Sequence, residues 1–132
     1  MAGLGLLIIR LLTGISFMGH GAQKMFGWFG GGGVKGTSQF FESIGVKPPR
    51  AMAVMAGLSE LVGGLLFALG LLTPLAALLI AAAMVVAIAK VSGQNGYWIT
   101  ENGYEYNLMI IVTVIGVALI GPGTYSIDAL IF

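Results

Sequence analysis

The sequence predicts an all-α membrane protein: a bundle of four transmembrane helices with a short interfacial helix in the first loop, forming one domain over residues 1–132. Three observations predict it. Hydrophobic residues make up 58% of the chain and charged residues 8%, with a mean hydropathy of +0.99, whereas soluble domains carry roughly a quarter charged residues. Four apolar runs approach the ~20 residues that a helix needs to cross hydrocarbon. Glycine, proline and polar clusters interrupt the chain between those runs, where connections must turn.

The first span runs from about Gly3 to Gln23. Its start, MAGLGLLIIR, has no basic residue ahead of the apolar run and no small-residue cleavage site after it, so it reads as a retained span rather than a signal peptide. In the first loop, GWFGGGGVKG (Gly27 to Gly36) is permissive backbone, and TSQFFESIG (Thr37 to Gly45) reads as the interfacial helix, capped by Thr37 or Ser38 and stopped by Gly45. The glycine run is not a phosphate loop, because GxxxxGK[ST] is not present. Lys47-Pro48-Pro49-Arg50 leads into the second span, from about Ala51 to Leu72. GLLTP (Gly70 to Pro74) is a tight turn, followed by a third span to Val91 and a fourth from Tyr104 to Gly121.

The two long connections, Lys24 to Arg50 and Ser92 to Gly103, are separated by two spans and share one side of the bilayer. Lys24, Lys35, Lys47, Arg50 and Lys90 lie there, while the N-terminus, the Thr73 turn and the tail carry no lysine or arginine. The positive-inside rule therefore predicts a multi-pass protein of the cell membrane with cytoplasmic long loops and both termini extracytoplasmic. Trp28, Tyr97, Trp98, Tyr104 and Tyr106 gather on the same boundary as an aromatic belt would.

Polar residues inside the spans carry the functional signal. At 100° per residue, Arg10, Thr13, Phe17, His20 and Lys24 fall within an arc of roughly 80° on the first helix. Charge at mid-span costs about 2.5 kcal/mol or more in lipid, so this stripe should face the bundle and find partners there. Glu60 lies near the midplane of the second span among Gly57, Gly63, Gly64 and Gly70, whose small size permits close helix approach. Arg10 has two partners within reach, Glu60 and Asp128 of the outer tail, and the sequence leaves the choice open. Near the long-loop side, His20 and Lys24 share a depth with Lys90, Gln94, Glu105 and Asn107, a polar vestibule. Glu60, Arg10 and His20 are thus the catalytic candidates; Phe17, Lys24, Trp28, Glu105 and Asn107 are substrate-binding candidates; and Asp128 is a candidate for a structural ion pair. The plainer alternative is that these charges fix helix register and snorkel to the interface.

Several chemistries are excluded. The chain has no cysteine, which removes disulfides, thiolate nucleophiles and cysteine-ligated clusters together. His20 is the single histidine, so a bis-histidine haem does not form within one protomer, and no metal-binding spacing is present. There is no GxSxG, no room for a Rossmann unit, and no basic run that would hold a nucleic acid. No cofactor is therefore expected in the chain itself. An apolar, methionine- and aromatic-lined cavity with a few protonatable groups suits a lipophilic molecule bearing carbonyls or hydroxyls, and a quinone or catechol fits that description.

At these residues the sequence resembles the DoxX family of four-helix membrane proteins, and most closely its CatD-like branch. The resemblance covers nearly the whole chain: the early arginine with HGAQKMFGWFG (His20 to Gly30), FFESIGV (Phe40 to Val46), ELVGGLLFALGLLTP (Glu60 to Pro74) and GPGTYSIDAL (Gly121 to Leu130). One departure is Thr124, where many relatives carry an arginine; this turns Asp128 toward Arg10 as its expected partner. The resemblance implies a four-helix bundle associated with quinone, thiosulfate or oxidative-stress chemistry, often beside soluble enzymes, and its CatD-like branch an oxidoreductase linked to resistance to catechols and quinones. Three readings follow. The protein is a quinone- or catechol-handling membrane component with a cytoplasmic oxidoreductase partner, a small exporter of aromatic compounds, or a scaffold that recruits a cytoplasmic enzyme. The glycine faces leave a homo-oligomer open as well.

Overall fold

The computed structural model describes the whole chain, Met1–Phe132, and is all-helical. Its α-helices are α1 (Ala2–Phe26), α2 (Gly33–Ser43), α3 (Pro49–Leu69), α4 (Thr73–Lys90), α5 (Glu105–Ile120) and α6 (Ile127–Ile131), with short 3₁₀ turns at Trp28–Gly30, Ser92–Asn95 and Ile99–Glu101. α1, α3 and α4 are long and apolar enough to cross a membrane. α5 is equally apolar but has 16 residues, roughly 24 Å at the helical rise against a hydrocarbon core of about 30 Å.

One end of the bundle carries the α3–α4 turn, the start of α1 and α6; it is called the tail end here. The other, the loop end, carries α2 and the α4–α5 connection. Along the bundle α1 packs chiefly on α3, α3 on α4 and α4 on α5. Phe17, Phe67, Ile80 and Val114, one from each long helix, are at most 2% exposed and meet in a single core. The outer surface is apolar instead: Leu12, Ile15, Leu78 and Val112 are largely exposed, as expected of a protein whose solvent is lipid.

The α1–α3 seam is built from glycines. A Cβ on Gly14 would stand 2.5 Å from the Gly64 carbonyl oxygen, and one on Gly64 would stand 2.5 Å from that of Gly14. Such close approach is how helices associate in lipid, where burial of apolar surface supplies no net drive. Seven residues along, Gly21 faces Leu61 and Gly57, and Gly57 faces the flexible side chain of Met25.

Helix boundaries fall within a few residues of the sequence reading, with one larger difference. α2 starts at Gly33, four residues before Thr37, and has no side-chain cap. Ser38, read as a cap, instead donates from its hydroxyl to the Val34 carbonyl one turn back at 2.6 Å. The glycine run is needed for proximity: Gly31 lies against the backbone of Gln23, where any side chain would collide. Gly45 follows the helix in the left-handed region (φ 79°), the stop its position implied.

Candidate ligand-binding site

Two polar centres lie along the bundle, and neither is the Arg10–Glu60 pair offered as an alternative by the sequence. Arg10 is 1% exposed and points to the tail end. Its Nη1 donates to the Pro122 carbonyl at 2.5 Å, and Nη2 donates to the carbonyls of Tyr125 at 2.9 Å and Ala68 at 3.3 Å. Ala68 is eight residues from Glu60, roughly 12 Å along α3. The outward lean of α1 side chains carries the guanidinium away from the midplane and onto the carbonyls that α3 and the tail leave free.

Asp128 is not in an ion pair either. Its carboxylate accepts from the Leu72 amide at 2.7 Å, the Thr73 amide at 3.0 Å and the Thr73 hydroxyl at 2.7 Å. It therefore caps α4 from a distant part of the chain. α4 begins Leu72-Thr73-Pro74, with an apolar residue at the N-cap position, so its free amides need an acceptor from elsewhere. Burial pushes the Asp128 carboxyl up, but the Thr73 and Leu72 donors and the nearby Arg10 charge outweigh it and hold the group below the usual carboxylate range.

The second centre is Glu60 with Lys24, whose Nζ donates to Oε1 at 2.6 Å in the molecule's one salt bridge. Lys24 stems from the last turn of α1, nearer the loop end than Glu60. Helical side chains lean toward their own N-terminus, which for Lys24 is toward the bundle interior, and the four-carbon stem covers the remaining turn. The Glu60 side chain is 5% exposed and that of Lys24 28%. Glu60 Oε2 has no hydrogen-bond partner.

This pair borders a cavity of about 650 Å³ between α2, α3 and α4, closed at one end by the start of α5. That size lies within the roughly 300–1,000 Å³ of small-molecule sites. Its wall is mainly apolar, from Phe40 and Phe41 of α2 with Ile44 just after it, Met52, Met55 and Ala56 of α3, and Leu79, Ala83 and Val86 of α4. A second polar edge is formed by Lys90, Ser92 and Asn107. There the Ser92 hydroxyl donates to Asn107 Oδ1 at 2.7 Å, and Asn107 Nδ2 lies 3.5 Å from Met84 Sδ. Met55 and Val86 are about half exposed, so the cavity has an opening sideways between helices, and Phe40 and Val91 are exposed beside it nearer the loop end.

Of the residues predicted for the site, the structure gathers Glu60, Lys24 and Asn107 at the cavity and places the others elsewhere. Phe17 is buried in the core, with its ring centroid 5.8 Å from that of His20. His20 Nδ1 faces Gln23 Oε1 at 3.2 Å, and the Gln23 amide donates to the Phe29 carbonyl, so His20 braces the turn after α1. Trp28 stacks on Phe26 in an exposed turn, and Glu105 accepts from the Ile99 amide at the loop end. Ser59, Ser92 and the apolar face of α2 were missed as site residues. The FF..I spacing of Phe40, Phe41 and Ile44 marked that face, but its target depends on how the loop folds back over α3.

A helical bundle whose surface suits lipid, and whose interior holds an apolar cavity bordered by one buried ion pair, defines a membrane protein. The family model DoxX matches residues 5–93, and the chain belongs to this family. It is 33% identical to "Putative oxidoreductase CatD" of Bacillus subtilis, over 98% of this chain and 88% of that protein. It is 32% identical to "Inner membrane protein YqjF" of Escherichia coli, over 96% of this chain and 92% of the relative. An uncharacterized protein of Haemophilus influenzae is 30% identical, over 98% and 85%. No solved structure matches the chain.

Proposed function

We propose that this protein is a four-span component of quinone-linked oxidoreduction in the cell membrane. It holds a quinone- or catechol-like molecule in the α2–α3–α4 cavity and works beside a cytoplasmic oxidoreductase in quinone or oxidative-stress detoxification. The observation that carries this reading is the placement of the Lys24–Glu60 pair, with one carboxylate oxygen unsatisfied, on the wall of an apolar cavity of ligand size. The apolar wall supplies affinity for a ring, and the two charged groups supply orientation.

The CatD name of a relative accords with oxidoreductase work. Without cysteine the chain offers no thiol couple, so electrons would pass to or from a partner. The sideways opening suits a ligand that partitions into lipid. With Lys24, Lys35, Lys47, Arg50 and Lys90 at the loop end, this end and the cavity would face the cytoplasm, with both termini outside.

The test is calorimetric titration of a short-chain alkyl benzoquinone and its hydroquinone into protein in lipid nanodiscs. Saturable binding of at least one of them, absent from empty nanodiscs, is expected. Ala82→Phe should weaken it about tenfold or more, since Ala82 lines the cavity while lying exposed to it, so a ring there fills ligand space without disturbing the core. Binding indifferent to Ala82→Phe would remove the cavity from the proposal.

A further inference from the structure

We propose that the cavity selects ligands that donate a hydrogen bond, and so takes the hydroxyl form of a small lipophilic ring compound, a phenol or hydroquinone, in preference to the corresponding quinone. This rests on the reading of the cavity as a ligand site. Only two buried side-chain atoms lack a hydrogen-bond partner, Arg10 Nε and Glu60 Oε2. Arg10 Nε belongs to a guanidinium already held by three carbonyls at the other end of the bundle. Glu60 Oε2 belongs to a residue that is 4% exposed and lines the cavity, and the other oxygen of that carboxylate is taken by Lys24.

In an ion pair with Lys24, Glu60 presents only acceptors, so the partner its free oxygen lacks is a donor. Of the protein's own donors at the cavity, three are spent elsewhere, the Thr37 hydroxyl on the Lys24 carbonyl, the Ser92 hydroxyl on Asn107 and the Asn107 amide on Met84, and two more, Ser59 and Lys90, line the cavity without bonding Oε2. A quinone brings only carbonyl lone pairs, which can accept from Lys24 but leave Oε2 without a donor. A hydroxyl resolves both sides at once. Its proton goes to Oε2, and its oxygen accepts from one of the two ammonium protons that Lys24 has left after bonding Glu60. The ring then rests among Met52, Met55, Leu79 and Phe41, with thioethers and an aromatic edge suited to it.

The experiment compares three ligands of nearly one shape, a short-chain alkyl hydroquinone, its quinone and its dimethyl ether, titrated anaerobically into the protein in nanodiscs. The hydroquinone should bind at least about tenfold tighter than the other two, the factor expected for one charge-assisted hydrogen bond. Glu60→Gln, whose amide both donates and accepts, should shrink the hydroquinone-to-quinone ratio to within about threefold. Equal or tighter binding of the quinone by the unaltered protein would overturn donor selection while leaving the cavity a ligand site. Binding of none of the three would overturn that reading and this inference together. Should Glu60→Gln not fold, the three ligands on the unaltered protein still decide the matter, because the dimethyl ether separates hydrogen bonding from shape.

Discussion

Arg10 and Glu60 are both ionisable, both buried and both on membrane-length helices, yet their surroundings differ in kind. At the tail end every neighbour of Arg10 is fixed backbone: three carbonyls from α3 and the tail, with the Asp128 cap of α4 beside them. At the loop end Glu60 has one flexible partner and one free oxygen, and it borders open space. A charge in a span is therefore not by itself a sign of chemistry, although intramembrane charges invite that reading. Each leaves one buried atom unpartnered, Arg10 Nε and Glu60 Oε2, so what separates architecture from a site is that Glu60 lines a cavity of ligand size and Arg10 does not line it.

The sharpest way to break this comparison is to remove Arg10. Arg10→Met keeps the length of the stem but leaves the Pro122, Tyr125 and Ala68 carbonyls without their donor. The expected loss is about 3 kcal/mol or more, since each buried carbonyl left without a partner costs about 1–3 kcal/mol. It should appear as a large fall in thermal midpoint in nanodiscs, together with proteolysis of the tail after Gly121. A fall no larger than that of a surface substitution would mean that the tail end is not the lock described here.

The glycine seam offers the next test, since an added methyl meets backbone at Gly14 but a movable side chain at Gly57. Gly14→Ala drives a methyl into the Gly64 carbonyl and Ala68, all backbone or Cβ, and should cost about 1–3 kcal/mol. Gly57→Ala meets the side chain of Met25, which can move, and should cost less than about 1 kcal/mol. Equal effects would show that the Met25 side chain yields no more readily than backbone does. Chemical denaturation of both variants in the same detergent reads the difference.

Much of this was legible in the sequence because it depends on local chemistry. Helix limits followed from apolar runs, from Gly70 in the left-handed region ending α3 and from Pro74 in the first turn of α4. The stripe on α1 correctly marked Arg10 and Phe17 as inward. Pairing was not legible, because it turns on side-chain direction as well as depth: Lys24 reaches a full turn inward to Glu60, and the same lean takes Arg10 away from it. Asp128 was read for its charge when its decisive property was as an acceptor for amides that Leu72 cannot cap. The cavity was hidden for a third reason. It exists because α2 folds over α3 and α4, and that placement is set by long-range contact, which no periodicity encodes.

Asp128 sharpens the contrast through pH. Its carboxyl is depressed in the folded protein, so its contribution is full above the unfolded value, about pH 3.9, and is lost as pH falls through the lower folded value. The tail end should thus keep its stability from neutrality down to about pH 4 and weaken only below that. Asp128→Asn should cost about 1 kcal/mol at neutral pH and remove this acid-side loss. A variant with the same acid profile as the unaltered protein would assign the transition to another carboxylate.

The smallest stability effect is expected where the binding effect is largest. Glu60→Gln keeps the shape and one acceptor for Lys24. The released charge is 28% exposed at the side chain and can turn toward the interface along its own stem. Partly exposed pairs contribute about 0–1 kcal/mol, so the thermal midpoint should move by only a degree or two while ligand discrimination collapses. A stability loss comparable to that of Arg10→Met would put Glu60 in the same class as Arg10, a charge that locks helices. Near-neutral stability would instead mean that folding does not require this buried carboxylate, and its unpartnered oxygen, on a residue that lines the cavity, is the feature that a ligand can use.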